Sequence, residues 1–164
     1  MKKSKNKNGF GIVELLIALA ITAMLLVAVA VAFNASVMNY TQNEDMFKAV
    51  NSARQALVRI TTQLRTGYLV DPCAPSNKCN FYTADGSDIT YRYNAAENKL
   101  YLITNDDLSD SDYVLCDNIT SMTFVKTPTD DGSDTKSVQI SITVSSGDVQ
   151  QTVTSAAVIR RTPN

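Results

Sequence analysis

From Leu15 to Phe33 nineteen consecutive residues carry no charge, and the stretch that follows, Asn34 to Arg65, contains neither proline nor glycine. That combination leaves few folds open. At about 1.5 Å of rise per residue the uncharged run nearly spans the hydrocarbon of a bilayer as a helix. Beyond it nothing breaks a helix before Gly67. Val50, Leu57 and Leu64 recur every seven residues and Met46, Ala53 and Ile60 occupy the neighbouring stripe, while Arg54, Gln55, Arg59 and Gln63 are expected to face away. The pattern predicts one helix from Phe10 to about Arg65, roughly 80 Å long. An isolated parallel coiled coil would show the same spacing, but three repeats are short for one, and the strands that follow need a helix to cover them.

Glu14 stands just before the uncharged run. A carboxylate carried into hydrocarbon is costly, so a glutamate here needs a partner or a task. Ahead of it, Met1 to Gly9 contains four lysines, Lys2, Lys3, Lys5 and Lys7. An ordinary secretory signal places its small-residue cleavage site after the apolar segment. Here the small residue, Gly9, precedes that segment, so a cut there leaves the hydrophobic helix on the mature chain. The lysines hold the start in the cytoplasm by the positive-inside rule and put everything after Phe33 outside. A plain signal anchor with an incidental glutamate near the headgroups is the simpler alternative.

The segment Gly9-Phe10-Gly11-Ile12-Val13-Glu14-Leu15-Leu16-Ile17-Ala18-Leu19-Ala20-Ile21 resembles the class III signal of type IV pilins and type II secretion pseudopilins. The resemblance implies cleavage after Gly9 by a prepilin peptidase, N-methylation of Phe10, and retention of Glu14 as the fifth mature residue. In that family the carboxylate neutralises the terminal amine of a neighbouring subunit during assembly in the membrane, which would supply the missing partner. The chain departs from the common form at Gly11, where threonine is usual, and at Ile12-Val13, which replace leucine-isoleucine. Neither change touches the cut or the charge.

After Gly67 the pattern changes to a period of two. Val138 to Val144 alternates apolar and polar residues, Ser145-Ser146-Gly147-Asp148 reads as a hairpin turn, and Val149 to Ile159 reads as its partner strand. Ile89 to Tyr93 and Lys99 to Ile103 flank a second turn, Asn94 to Asn98, and Tyr113 to Cys116 and Ile119 to Val125 complete the set. Short-turn strands after one long helix predict an α+β fold with a C-terminal antiparallel β-sheet head. The resemblance implies the pilin lollipop, its long, partly transmembrane helix packed on that head. The expected organisation is a leader over 1–9, a transmembrane and assembly half-helix over 10–33, an amphipathic periplasmic half-helix over 34–66, and a β-rich head over 67–164. The strand order of the head is also similar to that of J-type pseudopilins and W-type minor pilins, which sit at or near fibre tips and start assembly.

The full chain has 15 basic and 16 acidic residues, and removal of the four leader lysines leaves 11 basic against 16 acidic. So acidic a mature chain argues against a nucleic-acid surface. Cys73, Cys79 and Cys116 all fall outside the membrane in the expected topology, where a disulfide forms readily. Cys73 and Cys79 are the candidate pair, with Cys116 left as a buried thiol; spacing alone leaves its pairing with either of the others open. With no histidine and no paired Cys-x-x-Cys, a zinc site is not expected. Asp106, Asp107, Asp110 and Asp112, and Asp130, Asp131 and Asp134, are calcium candidates by composition, although they lack helix-loop-helix spacing and suit solvated turns equally well. No cofactor beyond that calcium is expected. With no histidine to serve as a base and no nucleophile-elbow motif, the chain is expected to be an enzyme's substrate and not an enzyme.

The sequence is therefore expected to encode a minor prepilin or pseudopilin-like subunit of the inner membrane, its head outside the cytoplasm. Its expected partners are the prepilin peptidase, the inner-membrane assembly platform and other pilins, reached through the N-terminal helix. Two rivals remain: an uncleaved, membrane-anchored binding module, and an abundant adhesive pilus subunit.

Overall fold

The computed structural model describes residues 11–106 and 112–160. Its first element is a single 55-residue helix, α1 (Ile12–Thr66). Seven strands follow: β1 (Lys78–Tyr82), β2 (Asp88–Asn94), β3 (Lys99–Thr104), β4 (Tyr113–Cys116), β5 (Ile119–Pro128), β6 (Thr135–Ser146) and β7 (Val149–Val158). The fold is α+β, as expected, but the strands form two antiparallel sheets in place of one. Their orders are β1-β2-β3-β4 and β5-β6-β7.

The chain divides into two compact units, 1–41 and 42–164. In the first, the described residues form the start of α1 and every side chain is exposed. The one polar side chain of the uncharged run, Thr22, donates its hydroxyl to the carbonyls of Ala18 at 2.6 Å and Leu19 at 3.0 Å. That bond removes the cost of carrying a hydroxyl into an apolar medium. Among the described residues α1 is the one helix long and apolar enough to cross a membrane.

The second unit begins within α1, at Gln42. From there the buried face is Met46, Ala49, Val50, Ala53, Ala56, Leu57, Ile60, Thr61 and Leu64. Both apolar stripes of the sequence belong to it. They share one core with Phe81, Ile89, Tyr91 and Leu100 of the first sheet and with Ile119, Met122, Phe124, Val138, Ile140, Ile142 and Val144 of the second. In β6 the alternation is complete, with Val138, Ile140, Ile142 and Val144 all fully buried. Gln63 departs from expectation. It is half-buried, and its side-chain carbonyl accepts the hydroxyl proton of Tyr91, which ties the last turns of α1 to β2. Burial pushes the Tyr91 phenol up to about 12, against the lowering effect of Arg59 nearby.

The sheets are joined by backbone bonds. Phe124 donates to Ser76 O at 2.7 Å and Ile119 to Asn98 O at 3.0 Å, and the Tyr93 hydroxyl reaches Ile119 O and Thr120 O at 3.1 and 3.0 Å. Lys126 Nζ donates to Ala74 O at 2.6 Å across the same junction. The expected turns are present: Gly147, at φ +57°, closes β6 onto β7, and Asn98, at φ +55°, ends the β2–β3 connection.

Gly67 ends α1 at a point where no side chain fits. A Cβ there would lie 2.7 Å from the Phe81 ring and 2.8 Å from Tyr82 O. Gly67→Ala should therefore lower head stability by about 1–3 kcal/mol through overpacking, and Ile60→Ala, which empties a fully buried site, by about 2–5 kcal/mol. Thermal or denaturant unfolding of both variants checks the two values.

Candidate processing and assembly segment

Gly9 and Phe10, the expected cleavage and methylation positions, lie outside the described residues. Glu14 is the third residue of α1, and its Oε2 accepts a hydrogen bond from the Gly11 amide at 2.9 Å. The first amides of a helix have no intrahelical acceptor, and a glutamate at the third position can reach back to the residue that caps the start. Gly11 has no side chain with which to cap, so the Glu14 carboxylate is the local acceptor. Its charge is also favourable at this end of the helix dipole. No cation pairs with Glu14 among the described residues, and the side chain is exposed. Among the described residues the carboxylate is thus fixed at the helix start by one neutral donor, with no counter-charge. This bond is not among the expectations from sequence, in which Gly11 stands only as a departure from threonine. The signal was present as half of a capping box, a permissive cap residue three places before a glutamate.

The surface that follows is uniformly apolar: from Ile12 to Phe33 the large hydrophobic side chains are between 54 and 82 % exposed. An exposed apolar face of this extent needs lipid or other helices to cover it.

Residues 4–30 match the family model described as the prokaryotic N-terminal methylation motif. No curated protein and no solved structure matches the chain. The matched segment spans the basic leader, Gly9, Phe10, Glu14 and most of the uncharged run. The methylation motif, with one long apolar helix and an antiparallel head behind it, is similar to the arrangement of type IV pilins and pseudopilins and supports that family. The motif implies processing by prepilin peptidase and assembly with other pilins, and together with the apolar helix it fits membrane anchoring. The class is structural and not a family of enzymes.

The remaining candidates lie apart from this segment. The expected Cys73–Cys79 bridge is not formed, and all three cysteines are free. Cys79 belongs to β1, a strand the sequence reading missed, and its side chain points into the core while Cys73 is exposed. Burial pushes the Cys79 thiol up to about 12, although Lys126 nearby lowers it. Cys116 is buried, and burial likewise raises its thiol.

Of the acidic residues, Asp107 and Asp110 lie outside the described residues. Asp106 accepts the Asp88 amide at 2.7 Å, and Asp112 pairs with Arg92 at 2.7 Å. In the other loop Asp131 accepts from the Thr129 hydroxyl and, at 2.8 Å, from the Ser133 hydroxyl, while Asp134 accepts the Thr135 amide at 2.7 Å. Among the described residues no three acidic or cysteine side chains converge on one point. Asp131 and Asp134 thus bond within their own turn, whereas Asp106 and Asp112 reach partners on β2.

The hydroxyls of Thr129 and Ser133 hold the Asp131 carboxyl down to about 2. A folded value below the unfolded one means that the stabilising contribution is present above the ordinary carboxylate range and is lost as pH falls through about 2. A carboxyl-carbon NMR titration should place the Asp131 midpoint near that value. Under reducing, native conditions a maleimide should modify Cys73 alone, with Cys79 and Cys116 reacting only after denaturation; counting labels by intact mass checks this.

Proposed function

We propose that this chain is a minor subunit of a type II secretion pseudopilus or type IV pilus, cut after Gly9, methylated on Phe10 and placed at or near the fibre tip, where it helps initiate assembly. The observation that carries the reading is Glu14: a carboxylate held at the first turn of an exposed apolar helix, within a matched methylation motif, with no cation paired to it among the described residues. The amine of a neighbouring subunit's mature start is the counter-charge such a site requires before it enters hydrocarbon. Leu15, Leu16, Ile17, Leu19, Ile21, Leu25 and Leu26 supply the apolar surface for neighbouring helices. The head remains outside the cytoplasm, as the lysine leader directs. The tip assignment draws support from α1, whose sequence contains no proline to interrupt it, and from the strand order of the head.

Intact mass and N-terminal sequencing of the protein from membranes of cells with and without the prepilin peptidase test the reading. The expected result is a mature start at methylated Phe10 that is lost with the peptidase; a start at Met1 in both strains would make the chain an uncleaved tethered binding module. Glu14→Gln keeps an acceptor for the Gly11 amide but removes the charge. It should still be cleaved and should fail to enter sheared fibres. Gold-labelling of a tagged head should decorate fibre ends; decoration along the shaft would make the chain an abundant subunit instead.

A further inference from the structure

In the head unit the outward side of α1 has its own composition. Phe47, Arg54, Val58, Thr62 and Arg65 follow one another at helical spacings of seven, four, four and three residues and are all exposed, Phe47 to 66 % and Val58 to 65 %. Between Met46 and Val70 there are three arginines and a lysine and no acidic residue. Lys48 pairs with Glu44 at 2.7 Å, whereas Arg54 and Arg65 have no ion-pair partner among the described residues.

Both flanks of this stripe are sheet edges. On one side the Arg59 guanidinium lies over the Tyr113 ring of β4, 5.9 Å from its centroid. On the other, Arg54, Leu57 and Val58 face Val153, Thr154 and Ser155 of β7 across a groove of about 340 Å³. β4 and β7 are each the last strand of their sheet. Natural edge strands are commonly protected by charge, proline, a bulge or short length. β7 has none of these: its ten residues contain no charge and no proline, and they pair with β6 without a bulge.

We infer that the seam of α1 between β4 and β7 docks an extended, acidic segment of a neighbouring, different pilin-type subunit. The unpaired arginines set the charge of the occupant, since a basic, partly apolar stripe selects an acidic surface. The open edge sets its conformation, since the free backbone groups of β7 are matched by another strand. Val58 and the β7 side chains form the apolar floor between them. The inference rests on the fibre-subunit reading above, because it takes the occupant from the same assembly.

The test uses the full chain in fibre-producing cells, with a photo-crosslinking phenylalanine analogue in place of Val58. Irradiation should give an adduct to a different chain that itself has a methylated mature start, joined through an Asp- or Glu-rich peptide. Arg54→Glu combined with Arg65→Glu should lower its yield by at least about tenfold, while Arg54→Lys with Arg65→Lys should keep most of it. An adduct to a second copy of this chain, or a yield indifferent to charge reversal, with Phe10 still the mature start, overturns the inference and leaves the fibre-subunit reading standing. A start at Met1 in the chain without the double reversal overturns both.

Discussion

The head depends on one contact: the apolar side of α1 from Met46 to Leu64, laid against the inward faces of two sheets. Each sheet has one apolar face that must be buried against another element. The helix is that element for both at once, which is why residues as distant in sequence as Ala53, Tyr91 and Ile140 share one core. Polar bonds then fix the arrangement. Tyr91 to Gln63 ties β2 to the helix, and Tyr93, Ser76 and Lys126 tie the first sheet to β5. A core built by a helix that must also continue into an exposed apolar segment leaves little freedom in the register of α1, because each turn already has an assigned face.

Before Thr41 the same helix meets a different constraint. Its side chains are exposed and apolar, and its polar groups are satisfied within the helix where they can be, Thr22 by carbonyls one turn back and the Gly11 amide by Glu14. What has no partner among the described residues is the charge of Glu14. Local hydrogen bonding orients a carboxylate but does not neutralise it, so a cation beyond those residues is needed before it enters hydrocarbon. The methylation motif over residues 4–30 accords with that demand.

Most of the architecture was legible in the sequence because the dominant patterns are local. The absence of helix breakers before Gly67 gave α1 to within a residue at its C-terminal end, and period-two alternation located β2 to β7. β1 was missed because Lys78-Cys79-Asn80-Phe81-Tyr82 sits beside prolines and small polar residues that read as loop, and the proposed cysteine pairing reinforced that reading. The cysteines show the limit of spacing as evidence: once Cys79 pairs in a strand its side chain must take one face of the sheet, and that face is the core. Gln63 was assigned outward by polarity alone, although the Tyr91 hydroxyl, buried among apolar side chains, required an acceptor from the helix.

The sequence by itself determined the long helix, its division into an uncharged and an amphipathic part, the position of Glu14, and the α+β character of the head. These follow from run length, periodicity and the cost of charge in hydrocarbon, all of which act over a few turns of chain. Only the tertiary structure decided that the strands split into two sheets, that the second compact unit begins at Gln42, that Asp106 and Asp112 reach partners on β2, and that the arginines of α1 lie exposed between two sheet edges. Those outcomes depend on which segments meet across long separations in sequence. Strand order, and with it the identity of the edges, is set by the best joint packing of the whole core and is not encoded in any one segment.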